Sequence, residues 1–455
     1  MQNLTRLSIA EAGQLLRSGE VKMVDLVRTC LEQEASSRDL AAFSDVYGTK
    51  ALALAEAHQT LLDNGYDLGP LHGMPVAVKA NVDVQNEVMS AGSKVLSNNT
   101  AVADAEVTRR LKQAGAIIVG STNMHEFAWG GTTNNPHYGP CRNPWDRNRI
   151  PAGSSGGSGA AVAAGGAFAA LGTDTGGSVR LPASMNGITG LRPGVGRIST
   201  KGVYPLAWSM DTVGPMARTA ADCSLLFSTL SGIAHNKTAV RKDIRGLKIG
   251  LIENYSFDRL QPDVEKCFRE TLQTLETLGA IIETIKLDGL EVAVDAQVIV
   301  DAAEPSAVHD AQIREHAVHY GEDVRILLHA GMTFTAIEYI QAQRYRTYLR
   351  EQIDRHFCDV DVILTPTLPF TAPLIGQDTI MIGDSLESTL TGNMRFTCIP
   401  SLAALPALSF PIGFDRDRLP VGAQLMGRED SEVDLLAIAS VYQNNTDFHG
   451  EHPKL

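Results

Sequence analysis

Pro151-Ala-Gly-Ser154-Ser155-Gly-Gly-Ser158-Gly-Ala-Ala161 is followed, after a small apolar separator, by Gly172-Thr-Asp174-Thr175-Gly-Gly177-Ser178-Val-Arg180. Glycine at this density permits positive φ and lets a ligand approach bare N–H groups with no Cβ in the way. Thr175, Gly176, Gly177 and Ser178 can therefore aim successive amides at one oxygen, as an acyl-transfer enzyme requires for its oxyanion. Ser178 closes that nest and is the candidate nucleophile. The separator, Ala161-Val-Ala-Ala-Gly-Gly-Ala-Phe-Ala-Ala-Leu171, suits a buried helix whose backbone packs tightly against its neighbours.

A serine hydroxyl is inert without a base. Upstream, Pro75-Val-Ala-Val-Lys79 reads as a short buried strand ending in a lysine. A lysine in such a place ordinarily snorkels to the surface. Buried beside serines it would instead lose its charge part of the time, as a base must.

Leu71-His-Gly-Met-Pro-Val-Ala-Val-Lys79, Gly153-Ser154-Ser155-Gly156-Gly157-Ser158 and Gly172-Thr-Asp-Thr-Gly-Gly-Ser178 together resemble the amidase signature family across residues 65–235. Weaker likeness returns in Thr365-Pro-Thr, Leu405-Pro-Ala and Leu419-Pro-Val-Gly-Ala-Gln-Leu. The resemblance implies a Ser–cis-Ser–Lys triad: Ser178 as nucleophile, Ser154 as the proton-shuttling cis-serine, Lys79 as base. It also implies an oxyanion hole at Thr175, Gly176 and Gly177. By likeness to the family's fatty acid amide hydrolases, Ala128 and Trp129 line the acyl pocket. No cofactor or metal is implied. Three positions depart from the family pattern without touching the triad: Ala152 stands in place of glycine, Gly159 in place of alanine, and Arg192-Pro-Gly in place of Lys-Pro-Thr.

The 455 residues are enough for one large domain or for two or three ordinary ones. No internal repeat, low-complexity tract or clean linker divides them, which favours one domain over 1–455. Within it, 1–65 reads as a helical arm, 66–235 as the catalytic core and 290–356 as a helical region covering the substrate. Lys242–Gly246 reads as a polar connector. The arm is expected to pack on the core, with a homodimer interface as the alternative. Lys248–Ile252, the Pro262–Leu278 helical pattern and Ile281–Ile285 form a strand–helix–strand run. That run and the resemblance point to an α/β fold with a mixed, mostly buried sheet covered by helices on both faces.

A net charge of −13 argues against a broad nucleic-acid surface. The amino terminus lacks the pattern of a signal peptide, and no apolar run of ~20 residues could span a bilayer. Six scattered cysteines (Cys30, Cys141, Cys223, Cys267, Cys358, Cys398) suit reduced thiols in the cytoplasm rather than disulfides or a zinc site.

Other readings fit less of the chain. Ser155 centres a G-x-S-x-G pattern, but the α/β-hydrolase elbow needs a later histidine, and only His449 and His452 follow His356. No G-x-x-x-x-G-K-[ST] supports a phosphate loop. His125-Glu126 lacks a second histidine at helical spacing and suits a structural role. Ser155 and Ser158, either of which could cap the following helix, are assigned structural roles; Asp174 is expected to hold the second turn or the Ser154 region, and Arg180 to be a structural ion-pair partner rather than a substrate clamp.

The expected activity is hydrolysis of a small-molecule amide, carbamate or urea-like C–N bond through a seryl acyl-enzyme. The alternative within the family is the glutaminase component of a glutamine-dependent tRNA amidotransferase, which needs partner subunits. Ala342-Gln-Arg-Tyr-Arg346-Thr resembles the segment supplying that component's glutamine-binding arginine, here Arg346. Where the component then carries an acidic residue, Met394 stands beside Asn393, a poor partner for an ammonium group. Trp129, Tyr138, Tyr204 and Trp208 lean toward an apolar or aryl substrate.

Overall fold

The computed structural model describes residues 4–233, 241 and 243–455. The expected end of the catalytic core at 235, and Lys242 of the expected connector, lie outside the described residues. The main strands are β1 (Phe43–Val46), β2 (Pro75–Lys79), β3 (Ile117–Thr122), β4 (Ala169–Asp174), β5 (Thr189–Arg192), β6 (Thr212–Ala217), β7 (Lys248–Ile252), β8 (Ile281–Ile285), β9 (Val362–Pro366), β10 (Ala407–Phe414) and β11 (Pro420–Gly427). They form one eleven-stranded sheet in the order β1-β3-β2-β4-β6-β5-β10-β11-β9-β7-β8.

The sheet is mixed. β2 runs parallel to β3 and β4, and β7 parallel to β8 and β9. Every pairing between β4 and β9 is antiparallel. Helices flank the sheet, and every residue of β2, β3, β4 and β6 is buried. Strands covered on both faces read as continuous apolar runs rather than alternating ones. The Pro262–Thr277 helix, with proline in its first turn, joins parallel β7 and β8 as the strand–helix–strand pattern implies.

The amino-terminal arm, expected to be helical, also carries β1, which pairs with β3 at the edge of the sheet. Ser8 and Glu11 form the capping box of helix Ile9–Ser18, and Gly19 ends it at φ 76°. Helices Met23–Ser36 and Gly48–Asp63 complete the arm. Ile9, Leu16, Met23, Leu26 and Val27 are buried in the main core, so the arm packs against the sheet.

The separator differs from expectation. Its helix begins earlier, spanning Gly156–Ala164, and after a turn at Gly165 its last three residues, Ala169–Leu171, open β4 rather than continuing the helix. Alanine and glycine have little strand preference of their own. Hydrogen-bonded pairing with β2 on one side and β6 on the other holds Ala169–Asp174 extended. The segment 402–427, expected as short strands, is the end of helix Cys398–Leu402 followed by two eight-residue antiparallel strands. Helices Ala293–His316, Glu322–Gly331 and Ala336–His356 fill the region expected to be helical before β9.

Candidate active site

Lys79 ends β2, the parallel neighbour of β4, and is fully buried. Its Nζ donates to Ser154 Oγ at 2.8 Å and to Thr173 Oγ1 at 2.7 Å. Burial lowers its pKa to about 7, against the opposing pull of Asp174 and Asp211. A buried amine with only hydroxyl partners favours its neutral form.

Ser154 is also fully buried and follows a cis Gly153–Ser154 peptide. Its carbonyl accepts from the His125 amide at 3.1 Å. A Cβ at Gly153 would lie 2.8 Å from both Gly130 O and Thr132 N, so backbone packing there demands glycine. The preceding Ala152 holds φ 61°.

From residue 150 to 194 every residue is buried except Ser178, which is partly exposed. It sits in the turn between β4 and helix Arg180–Asn186. The amides of Thr175, Gly176, Gly177 and Ser178 donate to no acceptor among the described residues. Carbonyls and side chains fix the turn instead. Thr397 Oγ1 donates to Gly176 O at 2.6 Å, and Arg192 Nη1 to Thr175 O at 3.3 Å. Thr175 Oγ1 donates to Asp211 Oδ1 at 2.6 Å. Gly177 has φ 137°, and a Cβ there would meet Thr397 Oγ1 at 2.5 Å. The turn thus carries four amides unpaired among the described residues beside one partly exposed hydroxyl.

Asp174 anchors this turn from below. Its carboxylate accepts from the Val179 amide at 3.1 Å, Arg180 Nη2 at 2.8 Å and Arg192 Nη1 at 3.1 Å. Burial alone would raise its pKa, but the two guanidinium groups hold it well below the usual carboxylate range. Arg180 further donates to Thr397 O, Gln424 Oε1 and Ser401 Oγ, tying the turn to β11 and the Cys398–Leu402 helix. Arg180 is thus the structural ion-pair partner expected from sequence.

Ser155 and Ser158 make the structural contacts expected of them, though not by capping. Ser155 occupies the cap position of helix Gly156–Ala164 but makes no side-chain cap bond. Its Oγ accepts from Thr173 N and donates to Thr173 O, each at 3.2 Å. Ser158 Oγ donates to Leu171 O at 2.9 Å and shares a 2.7 Å bond with Thr122 Oγ1. Both staple the helix onto β4 and β3, where a cap would have served only the helix end. These pairings also leave Ser155 no room to act as an elbow nucleophile.

Ala128 and Trp129 line the cleft above Ser178, with Leu181, Leu206, Val298, Leu327, Leu390 and Met394. Ala128 reaches it through a left-handed backbone, φ 62°. Tyr204 and Trp208 line a neighbouring cleft with Asn81 and Asp211, and Tyr138 lines neither. His125 Nε2 bonds Asp323 at 2.9 Å, and Glu126 accepts from His137 at 2.9 Å and the Gly321 amide at 2.7 Å, so this pair is structural. Arg346 lies outside the cleft lining and donates to Ser209 Oγ at 2.7 Å and to Leu402 O at 2.9 Å.

Two residues at the site escaped sequence reading. Thr173, the second partner of Lys79, carries a signal in adjoining Asp174 within Gly172-Thr-Asp174. Asp301, a lone carboxyl in the apolar run Val298-Ile-Val-Asp301-Ala-Ala, lines the cleft from helix Ala293–His316. Its break in that run was the available clue.

The model of the Amidase family matches residues 25–436. The chain is 35% identical over 486 residues to the A component of the glutamyl-tRNA(Gln) amidotransferase of Carboxydothermus hydrogenoformans, covering 99% of each chain. It is 37% identical over 470 residues to an amidase of Pseudomonas putida, covering 100% of this chain and 99% of the relative. A crystal structure of an amidase superposes with TM-score 0.91 at 32% identity, over 96% of this chain and 100% of that one. With the signature motifs seated on the same fold, the chain belongs to the amidase signature family, hydrolases acting on C–N bonds.

Proposed function

We propose that the protein is a cytoplasmic amidase that cleaves a small amide through an acyl-enzyme on Ser178. Neutral Lys79 takes a proton relayed by Ser154 from Ser178, whose Oγ attacks the carbonyl carbon. The amides of Thr175, Gly176, Gly177 and Ser178 receive the developing oxyanion; one such donor is worth about 3–4 kcal/mol. Ser154 returns the proton to the departing nitrogen, and the C–N bond breaks. Water then repeats the sequence and releases the acid. The observation that carries this reading is the 2.8 Å contact from an amine with pKa near 7 to Ser154, within the turn system that exposes Ser178.

The cleft supports an acyl group that is mainly apolar. Met394 lines it and, among the described residues, no arginine or lysine does. Helix Ala293–His316 supplies Val298 and Asp301, so the 290–356 region carries substrate choice.

The second reading is the glutaminase component of an amidotransferase, and the strength of the Carboxydothermus match favours it over a stand-alone enzyme. The lining favours the opposite: glutamine brings a carboxylate, while Arg346 is engaged elsewhere and, among the described residues, no arginine or lysine lines the cleft. Assay of the purified chain against aliphatic amides and glutamine separates the two. Turnover of aliphatic amides without glutaminase activity is expected. Strong glutamine hydrolysis, or co-purification with a second protein of such a complex, would transfer the assignment to the second reading.

A further inference from the structure

Apart from Ser178, the polar side chains lining the cleft are two buried groups, each with one oxygen that lacks a partner among the described residues. Asp301 is 8% exposed and Asn393 is fully buried, and both line the cleft. Asp301 Oδ2 accepts from Gln297 Nε2, one turn earlier on the same helix, at 2.6 Å. Its Oδ1 has no hydrogen-bond partner there, and neither has Asn393 Oδ1. Asn393 Nδ2 donates to Gly131 O at 3.3 Å, which fixes the orientation of the amide. A buried acceptor left unpaired carries the full desolvation penalty, which a ligand supplying a donor removes.

The position of Asp301 limits where that donor sits. A Cβ placed on Gly176 would lie 3.4 Å from Asp301 Oδ2, so the carboxyl packs against the turn that holds the free amides. A donor reaching Asp301 is therefore close to the reacting carbonyl rather than at the far end of the acyl group. The remainder of the lining, Leu181, Leu206, Val298, Leu327, Leu390 and Met394, accepts aliphatic bulk. With no cationic side chain in the described lining, a substrate carboxylate has no counter-ion there, whereas an amino group has Asp301.

We infer that Asp301, seconded by Asn393, selects amides bearing an amino group on the carbon next to the carbonyl, with an aliphatic side chain and no carboxylate. The inference deepens the amidase reading and rests on it for turnover, though not for binding. Burial, then the charges of Asp211 and Glu304, raise the Asp301 carboxyl to about 7, so an incoming ammonium drives its ionisation. Asp301 is a specificity residue; the proton relay through Lys79 and Ser154 does not pass through it.

Leucinamide and 4-methylpentanamide share one carbon skeleton and differ only in the α-amino group. In the native enzyme, kcat/KM for leucinamide is expected to exceed that for 4-methylpentanamide by at least about tenfold, the worth of one hydrogen bond to a charged group. Asp301→Ala is expected to bring the ratio to about one, and Asp301→Asn, which keeps an acceptor without the charge, to an intermediate value. Equal or inverted rates in the native enzyme, or an unchanged ratio in Asp301→Ala, would overturn the selection. Calorimetric binding of both amides to Ser178→Ala separates this outcome from failure of the amidase reading. Tighter leucinamide binding without native turnover would uphold selection and remove hydrolysis. Equal binding, or none, would remove selection itself.

Discussion

Lys79 Nζ meets Ser154 Oγ at 2.8 Å, and its other partner, Thr173 Oγ1, is also a hydroxyl. An amine so placed gains no carboxylate contact to offset its burial, which brings its pKa to about 7. The sign of the pH response follows. Below that pH the ammonium form dominates and cannot accept the Ser178 proton, so kcat/KM should fall about tenfold per pH unit. Above it the rate should level off. A pH profile taken with an uncharged amide checks this; a rate that declined as pH rose through neutrality would contradict it.

Lys79 and Ser154 act as one relay, so their removal should not be additive. Lys79→Ala and Ser154→Ala are each expected to lower kcat/KM by about 10²–10⁴-fold. The double variant should be within about tenfold of the worse single one. Losses that simply multiplied would assign the two residues independent roles.

Among the described residues, Asp174 is the sole counter-charge in hydrogen-bond contact with two fully buried guanidinium groups, those of Arg180 and Arg192. Asp174→Ala leaves both without it, and breaking a buried pair of this kind costs about 3–5 kcal/mol. Urea unfolding, read against the native protein, should show a lower midpoint at unchanged slope. A stability within about 0.5 kcal/mol of native would mean that other groups hold the turn.

Gly177 combines φ 137° with a Cβ site only 2.5 Å from Thr397 Oγ1. Gly177→Ala should rotate the turn and misdirect its amides, lowering kcat by about 10²–10³-fold, the loss seen when one oxyanion donor is removed. Steady-state kinetics checks this. Near-native kcat would show that the amide cluster does not stabilise the transition state.

Much of the fold was legible because its signals are local. The capping box at Ser8 and Glu11, the proline opening Pro262–Thr277 and the apolar run Pro75–Val78 each specify an element without long-range help. β4 was not legible, because Ala169-Ala-Leu-Gly is extended only through its two neighbouring strands. The partners of Ser155 and Ser158 were hidden for the same reason: they lie on β3 and β4, and spacing predicts only the nearby helix end. At the site, Lys79, Ser154 and Ser178 stood out through motifs, and Ala128 and Trp129 through likeness to relatives with an acyl pocket. Asp301 is more than 120 residues beyond Ser178 in the chain, and only packing of its helix over the turn makes it part of the same cleft.

The central claim is that Ser178 is activated by Lys79 through Ser154. Labelling with a fluorophosphonate, followed by peptide mass spectrometry, tests it most directly. The adduct is expected on Ser178 alone, and its rate of formation should fall at least about 10²-fold in Lys79→Ala. An adduct on Ser154, Ser155 or another serine, or labelling of Ser178 at the native rate without Lys79, would contradict it.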